Sequence, residues 1–381
     1  MPLALVLLLS SVVFISLKGQ RVLSTLFGVE LGATPFEMGI LFAMNGLFPS
    51  LLAVSAGRIA DRLDNRILMY AGIAGYSACL MLPVFFPTLG ALYVAVAFSG
   101  LSSMVFVIGT QHLLGVLSSA KTRTRNFSYY SLGESAAAIV GPVSVGFAID
   151  AFRFQATYLY LSLFTAGCAL ILAAAHRRVP PGTRDAGDNP GPRRMADLLK
   201  LPAMRNALLT NGVVMSALDL FNLYMPVYAR GLGLNASTIG LIIGAFGAAG
   251  IVTRLAIPPI TGRWGERTML LWSLALAAAA FALVPLTTSA LLLGVIAFFI
   301  GLGLGCGQPL SMVLAYNAAP KGRQAEGIAM RLAVSYGSHL VIPPLFGAFG
   351  AVLGLSPVFW TCGVLLTTGS WLNRRPAEKQ N

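Results

Sequence analysis

Long apolar runs, separated by short charged breaks, dominate this sequence and decide what it can fold into. An α-helix advances about 1.5 Å per residue, so roughly 20 consecutive apolar residues cross the hydrocarbon core of a bilayer. By that rule the chain is predicted to be an all-α integral membrane protein with about twelve transmembrane helices. The expected spans are roughly residues 3–27, 37–56, 67–86, 91–115, 126–149, 154–175, 204–229, 237–260, 268–287, 290–315, 326–353 and 356–373.

The composition favours a lipid bilayer over water as the surroundings of the folded chain. Of the 381 residues, 56% are hydrophobic and 10% are charged, and the mean hydropathy is +0.78. A soluble domain carries about 25% charged residues. The net charge of +13 would favour nucleic acid as the partner of a soluble protein. Here the basic residues fall in the short breaks without any nucleic-acid-binding motif, so we expect no nucleic-acid partner.

The placement of the basic residues predicts the orientation, because cytoplasmic loops of membrane proteins carry an excess of lysine and arginine. With both termini in the cytoplasm, the outer loops keep only Arg153 and Arg230. The cytoplasmic side then holds Arg58, Arg62, Arg66, Lys121, Arg123, Arg125, Arg177, Arg178, Arg184, Arg193, Arg194, Arg263, Arg267, Lys321, Arg323, Arg374, Arg375 and Lys379. We therefore expect a multi-pass protein of the cytoplasmic (inner) membrane, with residues 1–17 in the first span rather than in a signal peptide.

One kind of charged break occurs in both halves of the chain. Residues 57–66, Gly-Arg-Ile-Ala-Asp-Arg-Leu-Asp-Asn-Arg, and residues 261–267, Thr-Gly-Arg-Trp-Gly-Glu-Arg, both separate apolar runs. Arg62 aligns with Arg263, a shift of 201 residues (263 minus 62). A fixed shift of this kind predicts two copies of one unit. The expected parts are a six-helix bundle at 1–175, a basic Pro/Gly-rich linker at 176–201 and a second six-helix bundle at 202–381.

The first break resembles the loop between the second and third helices of the major facilitator superfamily. That family's pattern is Gly, three residues, Asp-Arg, one residue, Gly, one residue, then Arg or Lys. Gly57, Asp61, Arg62 and Arg66 match it, and Asp64 stands at the second Gly. The resemblance covers nearly the whole chain. It implies two pseudo-symmetric bundles that carry a small organic solute by alternating access, driven by an ion gradient, with protons expected as the ion and no cofactor.

Six ionisable residues fall well inside the expected spans, where each costs roughly 2.5–3.5 kcal/mol on insertion scales. They are Lys18, Arg21, Glu134, Asp219, Arg254 and Arg331. The repeat shift of 201 places Lys18 at the depth of Asp219, and Arg21 at the depth of Asn222. A spacing of three residues puts each pair on one helix face, so these residues are functional candidates.

In the resembled family, helices 1, 4, 7 and 10 line the central cavity. The resemblance therefore implies a substrate cavity lined by Lys18, Arg21, Gln111, Asp219, Asn222 and Gln308. Two other interpretations stay open. Lys18 and Asp219 could form a structural ion pair between the bundles, or Lys18 and Arg21 could reach the outer interface with their long side chains.

Glu134 and Arg254 lie at similar depths, about 9–12 Å from the inner ends of helices 5 and 8. These helices pack against each other across the bundle interface in the resembled family, which implies a Glu134–Arg254 pair in an inner gate. A buried carboxylate that gains and loses a cationic partner changes its proton affinity, so Glu134 or Asp219 is expected to couple transport to protons. His339 is either a structural residue or a further proton carrier.

The loop motif predicts a latch on the inner side. In the resembled family its Asp meets the start of helix 11 when that side is shut, so Asp61 is expected near the free N–H groups around Gly327. Arg331, about five residues into the same helix, either joins the latch of Gly57, Asp61, Arg62 and Arg66 or simply reaches the membrane interface.

The expected direction of transport is outward. Helix 5 contains Gly141-Pro142 followed by Gly146, which partly resembles a signature of the family's drug/proton antiporter branch. The alternative is proton-coupled uptake of an organic anion or a neutral metabolite, because three basic residues of the expected cavity and gate outnumber two carboxylates there.

Other classes of function have less support in the sequence. Neither HExxH nor GxSxG nor a metal-spaced His/Cys cluster occurs, so we expect no enzyme and no catalytic or metal site. A receptor, a channel or a structural membrane protein stays an alternative. Twofold repetition within one chain suits a monomeric carrier better than the ring of subunits that a channel uses.

Overall fold

The computed structural model describes residues 2–60, 65–118, 123–174, 195–320 and 324–372. Over these ranges the chain forms α-helices and two short 3-10 helices, Met195–Lys200 and Val284–Leu286, and no strand. The α-helices are α1 (Pro2–Glu30), α2 (Pro35–Ala60), α3 (Asn65–Phe85), α4 (Leu89–Val116), α5 (Arg123–Ala174), α6 (Pro202–Gly231), α7 (Ala236–Leu283), α8 (Ala290–Gly305), α9 (Gly307–Ala318), α10 (Gln324–Leu353) and α11 (Ser356–Leu372). Most of the predicted linker at 176–201 lies outside the described residues.

Two of the helices are too long to be single spans. α5 has 52 residues and α7 has 48, which would make straight rods of about 70–80 Å against a hydrocarbon core of about 30 Å. Each is broken by one residue with positive φ, Arg153 (φ 64°) in α5 and Gly265 (φ 78°) in α7, so each contains two spans. α8 and α9 join at Cys306 into one span. The described residues therefore form the twelve spans that the sequence predicts.

The surface along these spans is apolar. Nine stretches of the described residues are by themselves long and apolar enough to cross a membrane. Large apolar side chains point outward along them, such as Leu51 (67% exposed), Leu291 (78%) and Val352 (82%). Water would not tolerate a continuous apolar surface of this extent, so lipid covers it and the chain is a multi-pass membrane protein.

The predicted repeat appears in the backbone itself. The turn after α1 has Gly32 at φ 80°, and the turn after α6 has Gly233 at φ 81°, a shift of 201 residues. The same shift relates Arg153 (φ 64°) to Gly354 (φ 84°). The two halves thus bend at equivalent positions. At the second of these positions only the second half has glycine, the residue type that adopts positive φ without strain.

Helix packing follows the two halves. In the first half α1 packs on α5, and α3 packs on both α4 and α5. In the second half α7 packs on α8, while α6 and α10 pack on each other. The halves meet along α2 and α10 and along α5 and α7, with α1 and α6 between these two seams. This arrangement leaves the centre of the molecule enclosed by helices of both halves.

Charged groups join the halves at one end, called here the sealed end, which carries the α1–α2 and α6–α7 turns. The Asp150 carboxylate on α5 accepts hydrogen bonds from the backbone N–H groups of Ala236 (3.1 Å) and Ser237 (2.8 Å). These N–H groups begin α7 and have no partner within their own helix, so a carboxylate of one half caps a helix of the other. Arg230 also pairs with Glu30 at 3.2 Å.

Glycine contacts bring the backbones of the two halves together near the same end. A Cβ atom on Gly240 of α7 would lie 2.5 Å from the carbonyl oxygen of Pro142 on α5. One on Gly347 of α10 would lie 2.6 Å from the carbonyl oxygen of Pro35 at the start of α2. Only glycine permits approaches this close, so both seams are closed here by backbone packed on backbone.

The α2–α10 seam loosens toward the opposite end, called here the basic end because the basic loops lie there. Gly46 of α2 still packs on the Cβ atom of His339 on α10. Beyond that contact, Leu51 of α2 is 67% exposed and Leu332 of α10 is 41% exposed. Among the described side chains, tight packing between these two helices is therefore found in the part of the seam near the sealed end.

Candidate functional site

A cavity of about 310 Å³ lies between the two halves. Its charged and polar lining comes from α1, α5, α6, α7 and α10 and consists of Lys18, Arg21, Glu134, Ser135, Asp219, Asn222, Arg254 and His339. Apolar side chains such as Met215, Ile243 and Phe246 complete the wall. Seven of the residues singled out in the sequence are thus placed around one space.

Lys18 and Glu134 form an ion pair in this cavity. The Nζ atom of Lys18 lies 3.3 Å from the Oε1 atom of Glu134, and the side chains are 30% and 38% exposed. Both residues belong to the first half, on α1 and α5, which pack against each other. The pair therefore remains in contact with the water of the cavity.

The expected Glu134–Arg254 pair is replaced by another arrangement. Arg254 donates from Nη1 to the carbonyl oxygen of Ser131 at 3.1 Å, while Glu134 is held by Lys18. Lys18 supplies the cation from within the same half, where α1 packs on α5. Arg254 still crosses from α7 to α5, and its charge acts on the Glu134 carboxylate from a distance.

Asp219 and His339 form the second pair. The Nδ1 atom of His339 lies 2.5 Å from the Oδ2 atom of Asp219, and the Asp219 side chain is only 2% exposed against 27% for His339. The pair joins α6 to α10 within the second half. The interpretation of Lys18 and Asp219 as an ion pair between the bundles is therefore wrong, because each of these residues has its partner in its own half.

Arg21 differs from the other charged residues of the cavity. Its guanidinium carbon lies 5.9 Å from the centre of the Phe42 ring. In the part of the chain that the structure describes, no carboxylate comes within 4 Å of it. Arg21 also borders a recess of about 30 Å³ beside Gln20 and Asn45, which leaves its charge facing open space. Asn222, one further predicted residue, donates to the carbonyl of Leu218 in its own helix at 2.7 Å.

Of the two residues predicted on helices 4 and 10, only the side chain of Gln111 is described. Gln111 is exposed and is not part of the lining. It lies five residues before the end of α4, about 8 Å from that end, which is too shallow to reach the centre of the bilayer. The side chain of Gln308 lies outside the described part of the structure.

The structure describes only part of the predicted latch. Asp61 and Arg62 lie outside the described residues, as does the side chain of Arg66, and the surroundings of Gly57 are not described either. Arg331 is half-buried, and no carboxylate of the described residues lies within 4 Å of it. Its Nη1 atom donates to the Oδ1 atom of Asn211 at 2.9 Å and to the Oγ atom of Ser311 at 3.3 Å.

Asn211 is a residue that the sequence reasoning missed. Its amide also donates to Ser335 at 2.9 Å, so it connects α6 to α10 in the same way as the Asp219–His339 pair does. The signal was present: Asn211 and Asp219 are eight residues apart, and so are Arg331 and His339. Eight residues make about two helical turns and place both members on one face.

The described residues contain no group of three metal-binding side chains. The polar groups of the cavity are instead suited to two tasks. The half-exposed basic residues can contact a charged solute, and the buried carboxylate–imidazole pair can hold or release a proton. Neither task requires a bond to be made or broken in the solute.

Comparison with known proteins agrees with this arrangement. A family model described as Major Facilitator Superfamily matches residues 6–337, and a second match covers residues 207–381. Multidrug resistance protein 1 of Bacillus subtilis is 24% identical over 72% of this chain and 71% of its own length. Multidrug resistance protein MdtG of Proteus mirabilis is 22% identical over 93% of this chain and 91% of its own. The crystal structure of the nucleoside transporter NupG covers 98% of both chains with a TM-score of 0.82 at 14% identity.

Proposed function

This chain belongs to the Major Facilitator Superfamily, and we propose that it is a secondary transporter that exports a small organic solute by alternating access and couples the movement to protons. The family is one of transporters rather than enzymes. The observation that carries the proposal is a cavity between two repeats, sealed at one end, with a carboxylate–imidazole pair at its wall.

Alternating access is supported by the repeat and by the uneven seams. Two equivalent halves that rock about a central site would expose it first to one side and then to the other. The described contacts between the halves favour the sealed end, where Asp150 caps α7 and Gly240 meets Pro142. If the basic loops face the cytoplasm, this structure is the inward-facing state.

Proton coupling is supported by the position of the Asp219–His339 pair. Histidine is the residue type whose charge changes between about pH 5 and 8, and His339 lies where α10 packs on Gly46 of the other half. Rocking of the halves therefore changes the surroundings of the imidazole. If this change alters the affinity of the imidazole for a proton, then binding of the proton must in return shift the equilibrium between the two states of the transporter.

Export is supported by the names of the relatives. Two of them are called multidrug resistance proteins, and each matches more than two thirds of this chain. We further propose that the protein lies in the cytoplasmic membrane with both termini inside. We propose a monomer, because the two halves of one chain enclose the cavity without a second copy.

Reconstituted vesicles test the proposal. Purified protein is placed in vesicles loaded with a pH-sensitive dye, and a panel of antibiotics and metabolites is added. The wild-type protein should move protons when its solute is present. Asp219→Asn should lower that proton flux at least about tenfold, which corresponds to ~1.4 kcal/mol in the barrier, while solute-for-solute exchange persists.

The matched control is Asp197→Asn, which removes an exposed carboxylate outside the cavity and should leave proton flux unchanged. Proton flux that survives in Asp219→Asn, and also in His339→Gln, would exclude this pair as the coupling site. Saturable exchange without any proton movement in the wild type would leave a transporter that is not coupled to protons.

A second candidate function is proton-coupled uptake of an organic anion or a neutral metabolite. It is favoured by one observation, the two arginines of the cavity that have no carboxylate within 4 Å among the described residues. Intact cells separate the candidates. Deleting an exporter raises the amount of its solute inside the cell, whereas deleting an uptake system lowers it.

A further inference from the structure

The charges around the cavity do not balance, and we propose that the solute of this protein carries a carboxylate on an aromatic or apolar body, with the carboxylate bound at Arg21. The inference rests on the proposed transport function and narrows its substrate class. A relative named for multidrug resistance does not by itself specify the charge of what this chain binds, so the charge is argued from the cavity.

Both carboxylates of the cavity are already engaged. Glu134 is held by Lys18 at 3.3 Å, and Asp219 is held by His339 at 2.5 Å. A cationic solute would have to displace one of these partners before it could form an ion pair. Neither carboxylate is therefore free to attract a cation in the state that the structure describes.

Neither guanidinium group of the cavity has a carboxylate partner among the described residues. The guanidinium carbon of Arg21 lies 5.9 Å from the centre of the Phe42 ring, and a ring does not cancel its charge. Arg254 donates to the carbonyl oxygen of Ser131, which is a neutral acceptor. Among the described residues that line the cavity, three cations (Lys18, Arg21 and Arg254) face two carboxylates (Glu134 and Asp219), so one positive charge is left over while His339 is neutral. The two guanidinium groups lie one on each half, and an anion entering between them is attracted by both.

The geometry at Arg21 suits a carboxylate attached to a ring. A guanidinium group presents its N–H groups as a planar fork that matches the two oxygens of a carboxylate. Phe42 lies beside it, and the apolar side chains of Met215, Ile243 and Phe246 line the same cavity. A volume of about 310 Å³ accommodates a small organic molecule.

The same charges predict how solute and proton influence each other. A proton on the Asp219–His339 pair adds positive charge to a cavity that already contains Lys18, Arg21 and Arg254. Glu134 supplies the only other negative charge of the described lining. Proton and anion therefore favour each other's binding. Such a transporter carries proton and anion in the same direction, so an inward proton gradient would drive uptake, the second candidate function, and export would require a larger outward gradient of the anion.

Three probes of equal size and different charge test the proposal. They are 1-naphthoate, its uncharged amide and 1-naphthylmethylammonium. Binding of each to the purified full-length protein is measured by calorimetry and by the rise in unfolding temperature at millimolar concentration. We expect naphthoate to bind at least about tenfold more tightly than the amide, as a hydrogen bond to a charged group is worth, and we expect the ammonium probe not to bind.

Variants assign the preference to Arg21. Arg21→Gln should lower the affinity for naphthoate to that of the amide, whereas Arg21→Lys, which keeps the charge but not the fork, should retain an intermediate affinity. Arg205→Gln, at an exposed position outside the cavity, is the matched control and should bind like the wild type. Comparing the three probes on the wild type needs no variant, so a misfolded Arg21→Gln would not rescue the proposal.

Several outcomes would overturn it. They are tighter binding of the ammonium probe, equal binding of acid and amide, no binding of naphthoate, or full affinity in Arg21→Gln. Flux measurements in vesicles keep this failure separate from that of the proposed function. If the ammonium probe binds and drives proton movement, the proposed transport function is supported and the anionic substrate class is excluded. If naphthoate binds through Arg21 but is never exchanged across the membrane, the binding site is supported and the transport function is excluded.

Discussion

At the scale of single residues, the two ion pairs of the cavity differ in how much water reaches them. Lys18 and Glu134 keep 30% and 38% of their side-chain surface exposed, whereas Asp219 keeps 2%. Water screens the first pair, so its attraction contributes little to the free energy of unfolding, and removing the pair costs correspondingly little. The second pair holds a carboxylate that water cannot reach, so removing its partner leaves a charge without compensation.

This contrast predicts unequal effects on stability. Glu134→Gln should lower the free energy of unfolding by less than about 1 kcal/mol, the usual size for a screened pair. His339→Leu should lower it by about 3 kcal/mol, because it isolates the buried Asp219 carboxylate. The measurement is denaturation of the purified protein in one detergent.

The double variant Asp219→Asn with His339→Gln is the control for charge, since it removes both members and should recover much of the loss caused by His339→Leu. Equal losses in Glu134→Gln and His339→Leu would contradict the difference in burial.

The sequence predicted which charged residues lie within the membrane but not which residues they pair with. Of the six charged residues inside apolar runs, Lys18, Arg21, Glu134, Asp219 and Arg254 line the cavity, and Arg331 does not. The pairings depend on which helices touch, and each half supplies the partner of its own cavity carboxylate. Gln111 lies too near the end of α4 to take part, although the predicted span of 91–115 agrees with the helix.

At the scale of helices, the seams between the halves depend on glycine. Gly240 and Gly347 let carbonyl groups of the opposite half approach closer than any side chain would allow. α6 and α10 are held together differently, by the Asn211–Arg331 and Asp219–His339 contacts two turns apart. Close backbone packing at glycine also occurs within each half, as at Gly141 on the carbonyl of Ile15 and at Gly301 on that of Phe246. The contacts that must separate in transport therefore include backbone packed on backbone.

A side chain in the α5–α7 seam should therefore open the sealed end. Gly240→Leu places atoms where the Pro142 carbonyl now lies and should shift the protein toward the state that is open at that end. The reporter is a cysteine at Ile239, which is fully buried here. Its labelling by a membrane-impermeant maleimide should rise at least about tenfold, as expected when a minor state becomes the major one.

Gly90→Leu is the matched control, because Gly90 lies at the same end of the molecule with no atom within 4 Å of its added Cβ. It should leave labelling unchanged. If Gly240→Leu labels no faster than Gly90→Leu, backbone packing is not what closes this seam.

At the scale of the whole molecule, the shift of 201 residues was the most informative pattern in the sequence. It appears again in the φ angles of Gly32 and Gly233, and of Arg153 and Gly354. Hydropathy was enough to predict twelve spans, because span length is set by bilayer thickness and not by detailed packing. The sealed end could not be predicted, because the contact of Asp150 with the start of α7 joins residues 86 and 87 positions apart.

The distribution of basic residues predicts which side each end of the molecule faces. Alkaline phosphatase, which is active only outside the cytoplasm, should be inactive when fused after residue 381 and active when fused after Phe86, between α3 and α4. A fluorescent protein fused at the same two positions should give the opposite result. Active phosphatase at residue 381 would reverse the orientation and make the structure outward-facing.

At the sealed end the seam glycines pack on carbonyl oxygens and α-carbons of the other half, whereas the cavity is lined by side chains. Point substitutions in the lining can therefore change what is recognised without altering these backbone contacts between the halves. Related proteins can therefore change their solute by ordinary mutation. At the seam glycines, by contrast, any side chain larger than a hydrogen atom is selected against, whatever the solute.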